Sequence, residues 1–308
     1  SLQTGIKKEG FTIQMLGSIP LPMQGLMFAA ISALSLSVLT TAAVFAYNGG
    51  SEPFTLVAIR ATAGFLIACL LVQVSHQHIR FPRGSVALVL TFSIGQLMIN
   101  YGYMTSVLYI PISLAVLIFY IFPVLVLFTE ATLARRLPKP IEMASFVTAF
   151  LGLILVLGPS LKTLNWLGVT TALIAAIGGV LVMTTGSRAA QRLGALSTLF
   201  HMQLIACLVT LTVMLCFGGP VLPNIELGWW GLGVACFGYS FGIVTQIIAV
   251  KLVDPASASL VYNLEPLATL GIAAWVLTER LTPFQYIGST LILAAILLAG
   301  RLASRPSP

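Results

Sequence analysis

Ten apolar runs, each close to twenty residues long and nearly free of charge, follow one another along this chain. They lie at 22–47, 54–74, 85–109, 111–128, 141–158, 166–186, 197–218, 227–250, 256–276 and 284–300. A hydrocarbon core about 30 Å thick is crossed by about 20 helical residues, and backbone polar groups inside it must pair within the segment. Each run is therefore expected to form a membrane-spanning helix. Composition closes off the soluble alternative. Apolar residues make up 58% of the 308-residue chain and charged ones 7%, where a soluble domain carries roughly 25% charged residues. The first run is expected to stay as a helix, because a signal-peptide core is only ~7–15 residues long. The sequence predicts an all-α polytopic membrane protein with ten transmembrane helices, whose surface partner is the lipid bilayer.

Lys and Arg are retained on the cytoplasmic side of membrane proteins. The N-terminus and the even-numbered gaps carry Lys7, Lys8, Arg80, Arg83, Arg135, Arg136, Lys139, Arg188, Arg192 and Lys251, and the C-terminal tail adds Arg301 and Arg305. The odd-numbered gaps carry Lys162 and Arg280. Twelve against two places both termini in the cytoplasm, in a bacterial-type inner membrane. The basic residues form no patch with interleaved aromatics, which argues against nucleic acid as a partner.

A repeat lies beneath the ten runs. Sliding the chain by 143 residues lays Ala115 on Ala258, Leu117 on Leu260, Pro123 on Pro266 and Pro140 on Pro283. Five spans are an odd number, so a second copy crosses the membrane in the opposite sense. The charges agree, since Arg135, Arg136 and Lys139 in the fourth gap face Glu279 and Arg280 in the ninth. Two five-helix repeats of inverted topology are therefore expected, over 22–158 and 166–300. Secondary transporters use such repeats and hold their substrate between them near the midplane.

The stretch from Pro266 through Glu279-Arg-Leu-Thr-Pro283 to Gly288 and Leu291-Ile292 resembles the closing signature of the EamA family, within the drug/metabolite transporter superfamily. The first half departs from it, with Arg136 in the place of Glu279. The resemblance implies efflux of a small molecule such as an amino acid, a metabolite or a drug. An exporter of amino acids, aromatic ones among them, is the preferred member type, with multidrug or organic-cation efflux as the alternative.

Polar groups at membrane depth are expensive, and so they mark the candidate site. Glu265 falls inside the ninth run directly before Pro266, and that proline is expected to free the carbonyl of Tyr262. Arg60 lies inside the second run, placed to pair with Glu265, to take a substrate carboxylate, or to snorkel outward. Gln96, Asn100 and Tyr103 can share one helical face, with Tyr101 beside them. Phe119 and Tyr120 precede Pro123 in the fourth run, Tyr239 lies in the eighth, and Tyr262 and Asn263 precede Glu265. Amides, phenols and aromatic walls suit an uncharged or zwitterionic amphipathic cargo. The substrate-binding set is thus Gln96, Asn100, Tyr101, Tyr103, Phe119, Tyr120, Tyr239, Tyr262, Asn263 and Glu265, with helix breaks at Pro123 and Pro266 and Arg60 as charge partner.

His201 is expected to be hydrogen-bonded structure, Trp229 and Trp230 interfacial anchors, and Gly178, Gly179, Gly231 and Gly233 points of close helix packing. No Cys/His spacing suggests a metal site and no motif calls for a cofactor. An intramembrane enzyme would need clustered carboxylates or a Ser/His or His/Glu constellation, and neither is legible. A channel would spread polar rings along a pore, whereas here they gather at mid-depth. The carrier is expected to be a monomer or weak dimer, with protons as a candidate coupling ion.

Overall fold

The computed structural model describes residues 20–80, 83–158, 164–277 and 281–303. Lys7, Lys8, Lys162, Glu279, Arg280 and Arg305, used above for orientation and for the family signature, lie outside the described residues. The described residues form α1 (Leu21–Asn48), α2 (Pro53–Ser75), α3 (Val86–Tyr109), α4 (Ile112–Phe119), α5 (Phe122–Leu133), α6 (Pro140–Leu157), α7 (Trp166–Leu193), α8 (Ala195–Cys216), α9 (Glu226–Leu252), α10 (Pro255–Val261), α11 (Leu264–Leu277) and α12 (Pro283–Ala303).

Local chemistry sets several boundaries. Proline opens α2, α6, α10 and α12, where its missing N–H costs nothing and its fixed φ suits the first turn. Asp254 caps α10 by accepting from Ser257 N at 2.8 Å, and Asn165 caps α7 by accepting from Leu167 N at 2.8 Å. The hairpin between α3 and α4 turns on Ile110 and Pro111 alone, with Ile110 fully extended.

Among the described residues, eight helices are long and apolar enough to cross a bilayer, counting Ile112–Leu133 as one, and Pro283–Leu298 is a shorter apolar helix. The ninth apolar run is the divided pair α10 and α11. The fourth run is divided in the same way, at Tyr120 and Ile121, and continues to Leu133. The sixth overruns its expected end to Leu193, which puts Arg188 and Arg192 on α7 rather than in a gap.

The pairing of elements carries the repeat. α1 packs along α9 and α3 along α7, while α2 packs on α8 and α6 on α12. Counting each divided pair as one, every such contact maps onto another, or onto itself, when five elements are added. Small residues let the backbones approach. A Cβ on Gly95 would lie 2.8 Å from Gly178 O, and one on Gly178 would lie 2.6 Å from Gly95 O. Gly238, 143 residues after Gly95, meets Ser35 O of α1 in the same manner. Gly179 seats the ring of Phe122 and Gly231 abuts α1, but Gly233 faces open space and packs nothing.

Candidate functional site

The two helix breaks lie deep in the bundle, one opposite the other. Proline cannot donate to the residue four back, so each helix stops and restarts in the turn before it. Tyr262 N donates to Ser259 O and Asn263 N to Leu260 O, closing α10 with tight turns. The carbonyl of Tyr262 is not free, contrary to the expectation from Pro266. It accepts from Glu265 N at 2.9 Å, because the restarted helix tightens into a three-residue turn. Glu265 is consequently the second residue of α11 rather than a mid-helix group, at a terminus whose dipole favours an anion.

Around Glu265 stand Tyr120 of the other break and Thr40 of α1, both close enough to interact with its carboxyl, and Tyr103 within electrostatic range. The Tyr120 hydroxyl is buried and closes no hydrogen bond of ordinary geometry. Thr40 donates to Leu36 O at 3.0 Å. Phe119 links the aromatic wall, with its ring centroid 6.0 Å from Tyr103, 5.1 Å from Tyr120 and 5.1 Å from Phe122. Glu265, Tyr103 and Phe119 all keep partial exposure amid this packing.

Tyr262 joins three helices: its Oη donates to Ser32 Oγ at 2.8 Å, and Ser32 donates to Gly242 O at 2.7 Å. Asn263 is buried and spends its amide on Leu260 O at 2.8 Å. Gln96 is also buried on α3, one turn from Asn100.

The second pole of the site is Arg60, about 10 Å along α2 from its first residue at 1.5 Å per residue. Its Nη2 donates to Asn100 Oδ1 at 2.7 Å, and its guanidinium carbon lies 5.0 Å from the ring centroid of Tyr239. Tyr239 Oη in turn donates to Gln203 Oε1 at 3.2 Å. Tyr101 and Tyr47 also sense the Arg60 charge. Arg60 and Glu265 lie within electrostatic range, yet no carboxylate bonds Arg60 among the described residues. The expected pairing across the halves is therefore electrostatic and not a contact ion pair.

Several other buried polar atoms here lack a hydrogen-bond partner in the protein, namely Arg60 Nε, Asn100 Nδ2, Tyr101 Oη, Gln203 Nε2, Ser240 Oγ and Gln246 Oε1. Native proteins pair nearly all such atoms, so a cluster of exceptions points to a place where something else is bound. By contrast, His201 is bonded within its own helix, Nδ1 to Ser197 O at 2.7 Å. Trp229 and Trp230 are exposed at the start of α9.

Sequence reasoning overlooked Ser32, Thr40 and Tyr47 on α1, and gave Gln203 no role. The α1 residues recur at intervals of eight and seven, which is one helical face. That stripe was a readable signal.

The family model described as "EamA-like transporter family" matches this chain twice, over residues 23–158 and 166–301. No curated protein matches. Among solved structures, one described only as "Crystal structure of protein" is similar with a TM-score of 0.78. It is 19% identical, over 91% of this chain and 99% of that one. At that identity it supports the fold alone.

Proposed function

The chain belongs to the EamA-like transporter family, and we propose that it is a secondary carrier exporting a small amphipathic metabolite, amino acids including aromatic ones, by alternating access. The observation that carries this reading is the meeting of the two helix breaks around Glu265, among aromatic walls and buried polar atoms without protein partners. A cargo with an ammonium group, a carboxylate and an apolar body would supply what those atoms lack. In this reading the eight long apolar spans, the divided α4–α5 pair among them, together with α12 and the α10–α11 pair make ten crossings, grouped as inverted repeats over 22–158 and 166–300. Gln96, Asn100, Tyr101, Tyr103, Phe119, Tyr120, Tyr239, Tyr262, Asn263 and Glu265 surround or support the cargo.

Alternating access is supported by an asymmetry between equivalent elements. α10 packs on α5 and α7, and six of its seven residues are buried. The equivalent pair at the other end, α4 and α11, makes no comparable contact among the described residues. Leu264 to Leu270 of α11 are partly exposed apart from Pro266. The closed end is the one bearing Arg135, Arg136 and Lys139, so the charge rule makes it cytoplasmic and the open end external. Both termini then lie in the cytoplasm of a bacterial-type inner membrane.

The test is counterflow in proteoliposomes with a panel of amino acids, nucleosides and organic cations, with and without a pH gradient. Amino acid exchange is the expected result, and dependence on the gradient would identify protons as the coupling ion. Exchange of organic cations alone would favour the multidrug alternative. Absence of flux for every compound would defeat the carrier reading.

A further inference from the structure

Arg60 is held by uncharged groups on every side that contacts it. Asn100, buried on α3, takes Nη2, and the face of Tyr239 on α9 takes the plane of the guanidinium. The buried Nε–H meets no acceptor in the protein. A cation at membrane depth is costly and is normally matched by an anion or by function. The fork of an arginine is also the group best shaped to receive a carboxylate through two parallel hydrogen bonds.

What holds Tyr239 is equally specific. Its hydroxyl bonds Gln203 of α8, a side chain with no exposure at all. Gln203 in turn lies where a side chain at position 64 would be: a Cβ on Gly64 would run into Gln203 Nε2 and approach Tyr239 Cε1 to 3.2 Å. Gly64 stands one helical turn after Arg60, on the same face of α2. Four residues from three helices thus form one chain, from buried Gly64, Gln203 and Tyr239 to partly exposed Arg60.

We infer that Arg60 is the specificity residue for the carboxylate of the cargo, and that Gly64, Gln203 and Tyr239 are positioning residues that aim it. This rests on the carrier reading above and adds a division of the site into two poles. Arg60 faces the anionic end and Glu265 the cationic end. The two are near enough to sense each other but not bonded, as a molecule bearing both charges and lying between them would require. With both groups ionised, a zwitterion leaves the site neutral. A cargo of a single charge leaves one pole unmatched in a medium where that is expensive.

The experiment measures binding of L-phenylalanine and of phenethylamine, which lacks the carboxylate, to the full chain in nanodiscs. The native protein is expected to prefer phenylalanine at least tenfold. Arg60→Gln removes the preference. Gln203→Leu and Gly64→Ala narrow it by weakening phenylalanine while leaving phenethylamine unchanged. Tyr239→Phe keeps the ring under the guanidinium and retains more of the preference than Tyr239→Leu, a comparison that decides the matter if the Gly64 variant does not fold. Equal binding of the two ligands by the native protein overturns the carboxylate role while leaving the carrier reading intact. Equal weakening of both ligands in the Gln203, Gly64 and Tyr239→Leu variants overturns the aiming chain. Failure to bind either ligand overturns the proposed cargo, and the carboxylate pole with it.

Discussion

Placing one charged side chain near the centre of a membrane helix costs about 3 kcal/mol on insertion scales, so Glu265 and Arg60 need a return on that cost. For Glu265 the geometry supplies one, because Tyr120, Thr40 and Tyr103 converge on its carboxyl from three other elements. Glu265→Gln keeps the shape and removes the charge. Losing one charge-assisted bond of about 1.5–3 kcal/mol should lower transport by about ten- to hundredfold, with the variant still monodisperse in detergent. Normal flux in that variant would take Glu265 out of the mechanism. Alanine at Tyr101, Tyr103, Tyr120 and Tyr262 should weaken cargo affinity at one or more positions, and unchanged affinity at all four would remove the aromatic cavity. These residues were legible in the sequence because charge and aromatic clusters are conspicuous among leucines and valines. Ser32 and Thr40 are less conspicuous, legible only through their spacing with Tyr47, since a hydroxyl in a membrane helix can simply bond the carbonyl of the preceding turn, as Thr40 does with Leu36. The role of Gly64 could not be read at all, because it depends on a side chain 139 positions away, Gln203.

Helices are the scale at which the sequence said most. Apolar run length placed nearly every element, and proline marked where α2, α6, α10 and α12 begin. The same residue type marked the two interruptions, but a length rule cannot see them, since a divided span and a whole one have the same hydropathy. How elements meet was only partly visible. Gly178, Gly179 and Gly231 do serve close packing, yet Gly233 does not, because a glycine pair says nothing about which face turns inward. The difference gives a prediction. At the crossing of α6 and α12, Gly152 and Gly288 place each backbone against the other, so that a Cβ on Gly152 would lie 2.6 Å from Gly288 O. The obstacle is main chain and has no rotamer to yield. Gly152→Val should therefore destabilise the protein by about 1–3 kcal/mol, seen as a lower midpoint of thermal aggregation in detergent. Gly233→Ala, with open space around it, should leave that midpoint unchanged. Equal losses in both would mean that close approach is not what fixes this crossing.

For the molecule as a whole, the consequential fact is that equivalent pairs of elements are unequally packed: α10 lies against α5, whereas their equivalents α4 and α11, packed on α7 and on α1, make no comparable contact with each other among the described residues. Two copies of one plan need not share one conformation. If they exchange conformations, each end of the bundle opens while the other closes, which is how an inverted repeat delivers alternating access. At the closed end Arg188 of α7 holds Glu130 of α5 through Nη2 to Oε1 at 2.9 Å, and Asp254, the cap of α10, lies within electrostatic range of Glu130. Glu130 and Asp254 repel each other at this end, and Arg188 offsets that repulsion by holding Glu130 across what the alternating-access reading makes the opening seam. Both partners of the bond are partly exposed, at 35% and 23% of their side chains, so solvent screening limits its worth to about 1 kcal/mol or less. That is enough to bias a conformational equilibrium by up to about fivefold and too little to lock it. Arg188→Gln should accordingly favour opening at this end. With the native cysteines replaced, a cysteine introduced by Ser257→Cys on the half-buried face of α10 should react about two- to fivefold faster with a water-soluble thiol reagent in the Arg188→Gln background. Glu130→Gln, which removes the repulsion together with the bond, should accelerate the reaction less. Should the two backgrounds label at the same rate as the parent, the ionic tie plays no part in holding the end closed, and the packing of α10 against α5 and α7 must do so alone.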